Sequence, residues 1–211
     1  MRNLGLKPAL RDGLEQLGVA AGEEALDALV DYVGEIATWN RAYNLTAVRE
    51  PAEMVTRHLL DSASVLRWVR GPEVLDVGSG AGLPGVPLAI LDPALAVTLL
   101  DSNGKKARFL RHVKRRLDLA NVAVEQARIE AFAGDAFATI VSRAFAEPAT
   151  FLTGVRHLAG PETRIVAMQG RRAERPEVDG FRLLDTIDLA VPGLDAQRHI
   201  LIYGTCPESS Q

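Results

Sequence analysis

The sequence predicts an α/β fold: a mostly parallel sheet with crossover helices, ending in a C-terminal antiparallel hairpin and preceded by an N-terminal helical extension. Three observations carry this. Across residues 1–70 the apolar positions recur at three- and four-residue steps. From Gly71-Pro72 onward, short apolar runs alternate with segments long enough to be helices. The last two runs are joined by a turn too short to hold a helix.

In chain order, Leu26, Leu29, Val30, Val33 and Ala37 mark one face of an amphipathic helix over residues 23–40. Pro51 sits where a first helical turn tolerates it, and Val55, Leu59, Leu60, Ala63 and Leu66 continue a second such face. The runs 74–77, 97–100, 122–124, 140–141 and 165–168 read as parallel strands. Runs 183–189 and 199–203, joined through Pro192-Gly193, read as the hairpin. Residues 1–70 are therefore expected to form an extension packed on a core of residues 71–211, as a single compact domain.

With 47% hydrophobic and 24% charged residues, the composition is globular and excludes disorder and low-complexity scaffolds. The single cysteine, Cys206, excludes an intramolecular disulfide framework and a thiolate-rich zinc site. No apolar stretch is long enough to span a bilayer, and the N-terminus lacks the apolar core of a signal peptide. The expectation is a cytoplasmic protein with no membrane and no metal partner.

The first strand runs directly into Asp76-Val77-Gly78-Ser79-Gly80-Ala81-Gly82-Leu83-Pro84-Gly85. Glycines there let the backbone approach a ligand, and the helix that follows aims its N-terminal N–H groups at whatever is bound. Two readings stay open. The segment 80–85 fits the G-x-G-x-x-G dinucleotide fingerprint, whereas 76–82 fits the acidic-x-G-x-G-x-G loop of S-adenosylmethionine-dependent methyltransferases. Asp101, closing the second strand, would accept hydrogen bonds from the ribose hydroxyls of either cofactor. Asp76 before the first glycine, suited to the cationic amino-acid end of the methyl donor, and a chain too short for a second domain both favour the methyltransferase. A small NAD-dependent oxidoreductase is the alternative enzyme, and a nonenzymatic regulator that senses a nucleoside cofactor is the alternative of another class.

Serine-hydrolase and P-loop motifs are absent from the sequence. His58, Asp61 and Ser62 share a helix face but make a triad only by count, and Cys206, beyond the last strand, reads as a surface or edge thiol in preference to the nucleophile of a pyrimidine-C5 methyltransferase. No catalytic residue is named.

The net charge of −3 argues against indiscriminate nucleic-acid coating, yet residues 102–117 carry no acid. On a helix over 103–117, Ala107, Leu110, Val113 and Leu117 would be buried, while Lys105, Arg108, Arg111, His112 and Arg115 point outward. Lys105, Arg108 and Arg111 are the candidate RNA-phosphate contacts, with Arg171, Arg172 and Arg175 a second patch.

Trp39-Asn40-Arg41-Ala42-Tyr43-Asn44-Leu45-Thr46, Arg57-His58-Leu59-Leu60-Asp61-Ser62, the glycine loop through Pro87, Leu100-Asp101-Ser102 with Lys105, and Ser142-Arg143-Ala144-Phe145-Ala146 resemble the bacterial ribosomal RNA small-subunit methyltransferase G family, also called glucose-inhibited division protein B. The resemblance spans nearly the whole chain. It implies a Rossmann-like class I methyltransferase that moves a methyl group from S-adenosylmethionine to N7 of one guanine in the decoding-region loop of 16S ribosomal RNA, on naked RNA or on the small ribosomal subunit. Carried over by position, it implies cofactor contacts from Gly78 and Leu83, from Ile129 and Glu130, and from Arg143; Gly80 and Asp101 join them from the loop reading. Gln169 stands before Gly170 where the family usually has lysine, so no RNA contact is carried to that position.

Overall fold

The structure is a computed structural model that describes residues 5–143, 147–170 and 175–206. Ala144, Phe145 and Ala146 of the last motif, and Arg171 and Arg172 of the second basic patch, lie outside the described residues.

Helices α1 (Leu6–Gln16) and α2 (Glu23–Tyr43) open the chain. The next segment is not the continuous α-helix its periodicity predicts. A short α3 (Pro51–Met54) widens into a π-helical stretch, Val55–Leu60, before α4 (Asp61–Ala63) and a final 3-10 turn, Leu66–Trp68. A π turn admits an extra residue and so rotates the side chains after it around the axis; such turns are frequent at functional sites. Here the stretch contains His58 and ends directly before Asp61, and both are buried.

The sheet has the strands β1 (Glu73–Val77), β2 (Ala96–Leu100), β3 (Val122–Glu125), β4 (Phe137–Arg143), β5 (Ala159–Gln169), β6 (Phe181–Asp188) and β7 (His199–Thr205). Their order is β3-β2-β1-β4-β5-β7-β6. β1 to β5 run parallel, and β7 is antiparallel to both β5 and β6, the β6–β7 pairing following from the short Pro192-Gly193 turn between them. The crossovers carry α5 (Gly85–Leu91), α6 (Gly104–Arg116) and α7 (Pro148–Val155).

Two-residue alternation divides the core between the two faces of the sheet. Val74, Leu99, Val141, Val166 and Ile202 face one side with α1, α2, α5 and α6; Leu75, Leu100, Ile140, Ile165 and Leu201 face the other with α7. Leu10, Leu29 and Ile36 of the first two helices thus share one apolar cluster with Phe109 and Leu110 of α6. Phe109 is fully buried, extending the stripe expected on α6, whereas Leu117 is only partly buried. No helix among the described residues is long and apolar enough to cross a membrane.

Candidate active site

The carboxyl ends of β1 and β2 and the turn after β3 enclose a cavity of about 300 Å³, lined by Val77, Gly78, Leu100, Asp101, Ser102, Lys106 and residues 127–130. Four of the predicted cofactor residues, Gly78, Asp101, Ile129 and Glu130, meet there. Gly80, Leu83 and Arg143 do not line it. The open end of a parallel sheet, where neighbouring crossovers diverge, is where such folds bind ligands.

Local chemistry builds this hollow. Gly78, Gly80 and Gly82 adopt positive φ angles of 69°, 60° and 92°, which L side chains rarely tolerate. The Gly78 N–H donates to the carbonyl of Leu100 at 2.8 Å, closing the loop onto the end of β2. The three glycines are not equivalent. A Cβ on Gly80 would meet only ordinary contacts beyond 3.8 Å, whereas one on Gly82 would lie 2.6 Å from Val86 and 2.9 Å from Leu110. Gly82 is therefore a packing glycine. Leu83 is buried in the core, its N–H donating to Ser79, and forms the floor beneath the loop.

Asp101 is 5% exposed, and both oxygens of its carboxylate hold backbone: Oδ2 accepts from Gly80 N–H and Oδ1 from Asn103 N–H, each at 2.8 Å. An ionised carboxylate offers roughly four acceptor positions, so room for ligand hydroxyls remains. Lys106 approaches Asp101 Oδ2 at 3.8 Å. Its placement follows from the cap of α6, where Asn103 Oδ1 accepts from the N–H groups of Lys105 and Lys106. Lys106 is not among the residues the sequence assigns to the cofactor site.

Asp76 is fully buried beneath the loop rather than open to it. Its Oδ2 accepts from Gly85 N–H at 2.9 Å, bracing the start of α5, while Oδ1 has no partner among the described residues. Burial raises its pKa to about 7, against the opposing hydrogen bond from Gly85 and the charge of Arg143. Nearby, the Tyr32 hydroxyl donates to Ala81 O at 2.5 Å, so α2 of the extension pins the glycine loop from below. A tyrosine inside an apolar helix stripe was the available signal, since a buried hydroxyl needs a partner.

His58, Asp61 and Ser62 form no relay. His58 Nε2 pairs with Thr46 Oγ1 at 2.9 Å, and burial lowers its pKa to about 4. Asp61 instead binds Arg143 and Arg198. Cys206 donates its backbone N–H to Gly180 O and lies outside the cavity lining.

Lys105, Arg108, Arg111 and Arg115 are exposed as expected and line a broad hollow of about 650 Å³ with Asn103 and Gln126. His112 is a correction: it is half-buried, lies 2.7 Å from Glu35 and packs on Trp39, because α2 covers that side of α6. Arg108 reaches toward the Tyr43 hydroxyl at 3.4 Å.

A glycine loop held by an acidic residue at the end of β2, under a seven-stranded sheet closed by an antiparallel hairpin, defines a class I methyltransferase. A solved S-adenosylmethionine-dependent methyltransferase from Aquifex aeolicus superposes with a TM-score of 0.59, covering 77% of this chain and 97% of its own at 17% identity, which establishes the shared fold. TrmN from Thermus thermophilus does so with a TM-score of 0.54 at 19% identity, over 79% of this chain and 53% of its own. The sequence model of the family described as rRNA small subunit methyltransferase G matches residues 25–201. Proteins named ribosomal RNA small subunit methyltransferase G are 51% identical in Pseudomonas aeruginosa, covering 92% of each chain, and 53% identical in Chromohalobacter salexigens, covering 90% of this chain and 92% of the relative. In Alkalilimnicola ehrlichii the identity is 47%, over 97% of this chain and 94% of the relative. The chain belongs to the rRNA small subunit methyltransferase G family. Membership carries the enzyme class with it, an S-adenosylmethionine-dependent methyltransferase of ribosomal RNA.

Proposed function

We propose that the protein methylates N7 of one guanine in the decoding-region loop of 16S ribosomal RNA, acting in the cytoplasm on the RNA or on the small ribosomal subunit. The observation that carries the reading is the meeting of Gly78, Asp101, Ile129 and Glu130 around one cavity in a chain whose residues 25–201 follow this family.

S-adenosylmethionine supplies an electrophilic methyl group on a sulfonium. The residues fit its adenosine: Gly78 presents bare backbone, Ile129 and Leu100 give an apolar wall for a flat ring, and Asp101 and Glu130 accept hydrogen bonds from hydroxyls or an amine. The unpartnered Oδ1 of Asp76 and the nearby charge of Arg143 make the region beyond the loop suited to an amino-acid group of mixed charge. Leu83 and Gly80 shape the loop that holds it.

Guanine N7 carries an in-plane lone pair and no proton, so attack requires neither a general base nor an enzyme nucleophile. The protein's task is alignment of nucleophile, methyl carbon and sulfur, which supplies roughly 7–11 kcal/mol. The exposed cations Lys105, Arg108 and Arg111 flank the cavity and suit RNA phosphates. Residues 1–70 serve as an extension that braces the core of residues 71–211.

The test is incubation with labelled S-adenosylmethionine and either small subunits or naked ribosomal RNA, followed by mapping of the labelled base. Label at a guanine whose N7 resists further alkylation supports the reading. Cofactor binding without transfer to either substrate overturns it in favour of a sensor.

A further inference from the structure

Asp61 stands directly after the π-helical stretch, 2% exposed, and its carboxylate bridges two arginines. Oδ2 accepts from Arg143 Nη1 at 3.1 Å, and Oδ1 accepts from Arg198 Nε at 2.9 Å. The arginines arrive from separate parts of the sheet. Arg143 ends β4, whereas Arg198 precedes β7, whose first residue, His199, pairs with Gln169 at the end of β5. Both therefore stand at the carboxyl edge of the parallel strands, the edge that carries the cofactor cavity.

A carboxylate between two cations leaves one positive charge in excess, and each arginine side chain is 22% exposed. Arg143 Nη1 is fixed a second time by the carbonyl of Arg57, and Arg198 Nη1 by that of Gln197. Arg198 Nη2 makes no hydrogen bond among the described residues. Gly170, just past the end of β5, lies beside the same side chain: a Cβ there would stand 3.4 Å from Arg198 Nη1, an ordinary contact. Among the described residues, Arg198 is thus held through Nε and Nη1, and Nη2 between them is the donor left to a ligand.

We infer that Asp61 is a positioning residue that couples the two ligand seats, holding Arg143 toward the methyl donor and Arg198 at the rim so that its free Nη2 takes a phosphate oxygen of the target nucleotide. This rests on the proposed reading of Arg143 and of the RNA substrate. A phosphate suits this free donor better than the base. Arginine's usual guanine contact uses O6 and N7 together, which would occupy the lone pair that must attack. Methylation also makes the purine cationic, and a guanidinium on its edge would oppose that charge, whereas a phosphate contact is untouched by it.

The experiment measures S-adenosylhomocysteine affinity by calorimetry, kcat and KM on unmodified 16S RNA, and the salt dependence of RNA binding, all on the full chain. Arg198→Gln should raise the RNA KM at least about tenfold, the loss expected for a hydrogen bond to a charged group. It should flatten the log–log salt slope by about 0.7–0.9 and leave cofactor affinity at wild type. Arg198→Lys, with a single nitrogen to serve both Asp61 and phosphate, should behave likewise in KM. Asp61→Asn should weaken both cofactor and RNA, and adding Arg198→Gln to it should cost less than on the wild-type background. Wild-type RNA binding in both Arg198 variants overturns the inference even if Asp61→Asn proves too unstable to assay. A folded Asp61→Asn protein with both affinities intact, or strictly additive effects, overturns it too. If Arg143→Gln leaves cofactor affinity unchanged while the Arg198 effects hold, the reading of the methyl-donor seat is what fails, and the coupling with it.

Discussion

The backbone N–H of Gly80 donates to Oδ2 of Asp101 at 2.8 Å, so the residue predicted to hold the cofactor ribose also holds the loop that would cradle the rest of it. Asp101→Ala should therefore weaken S-adenosylhomocysteine binding by about 1.5–3 kcal/mol through the lost charged acceptor, and additionally loosen the loop. Asp101→Asn keeps one oxygen for Gly80 and should lose less. Calorimetric titration of the two variants checks the order, and equal losses would remove the loop from the explanation.

The glycine loop separates conformational from steric demands. Gly80→Ala meets no close atom and bears only its left-handed backbone, about 1–2 kcal/mol. Gly82→Ala adds overlap with Val86 and Leu110, bringing its cost to about 2–5 kcal/mol. Denaturant midpoints should fall in that order. A Gly82→Ala protein as stable as Gly80→Ala would show that the core gives way around the added methyl.

Asp76 and His58 set opposite pH slopes. In the folded chain Asp76 titrates at about 7 instead of 3.8, so between those values the native state holds the extra proton and stability falls as pH rises. His58 titrates at about 4 instead of 6.5, so across that window the unfolded state holds the extra proton and stability falls as pH drops. The two partly cancel. Relative to wild type, Asp76→Asn should therefore shift the slope of melting temperature against pH upward between 4 and 6.5, and His58→Gln should shift it downward across the same range. Thermal melts across that range check both signs.

Periodicity made the sheet order of events legible because strands buried on both faces read as apolar runs, and Pro192-Gly193 left no room for a crossover. The glycine loop and Asp101 were legible because their chemistry is local. The π-helical stretch was not, since its apolar positions 55, 59, 60, 63 and 66 still satisfy α-helical spacing while the backbone makes a wider turn. Nor was the Asp61 bridge to Arg143 and Arg198, whose members lie far apart in sequence and meet only through sheet topology. His112 looked like part of an exposed basic face because nothing in α6 itself reveals that Glu35 and Trp39 lie against it.

Cys206→Ser should keep full methyl transfer. The thiol is not part of the cavity lining, its anchoring contact is a backbone N–H, and attack by N7 uses no enzyme nucleophile. Turnover assays on folded protein check this, and lost activity with intact cofactor affinity would return the pyrimidine-C5 mechanism to consideration.

The basic face of α6 offers the last prediction. Lys105, Arg108 and Arg111 are exposed, line the wide hollow beside the cofactor cavity, and have no carboxylate partner within ion-pair distance among the described residues. Cations not already paired within the protein can neutralise phosphates, and each phosphate neutralised releases cations condensed on the RNA. Replacing all three by Gln should flatten the log–log salt dependence of RNA affinity by up to about 2–3 units, at 0.7–0.9 for each lost contact. Glutamine preserves helix propensity and part of the aliphatic stem, so α6 should remain folded over Phe109 and Leu110. Cofactor affinity should stay near wild type, because Lys106 and not these three reaches Asp101. A triple variant with the wild-type salt slope would assign this face to solvent and move RNA docking to the rim around Arg198.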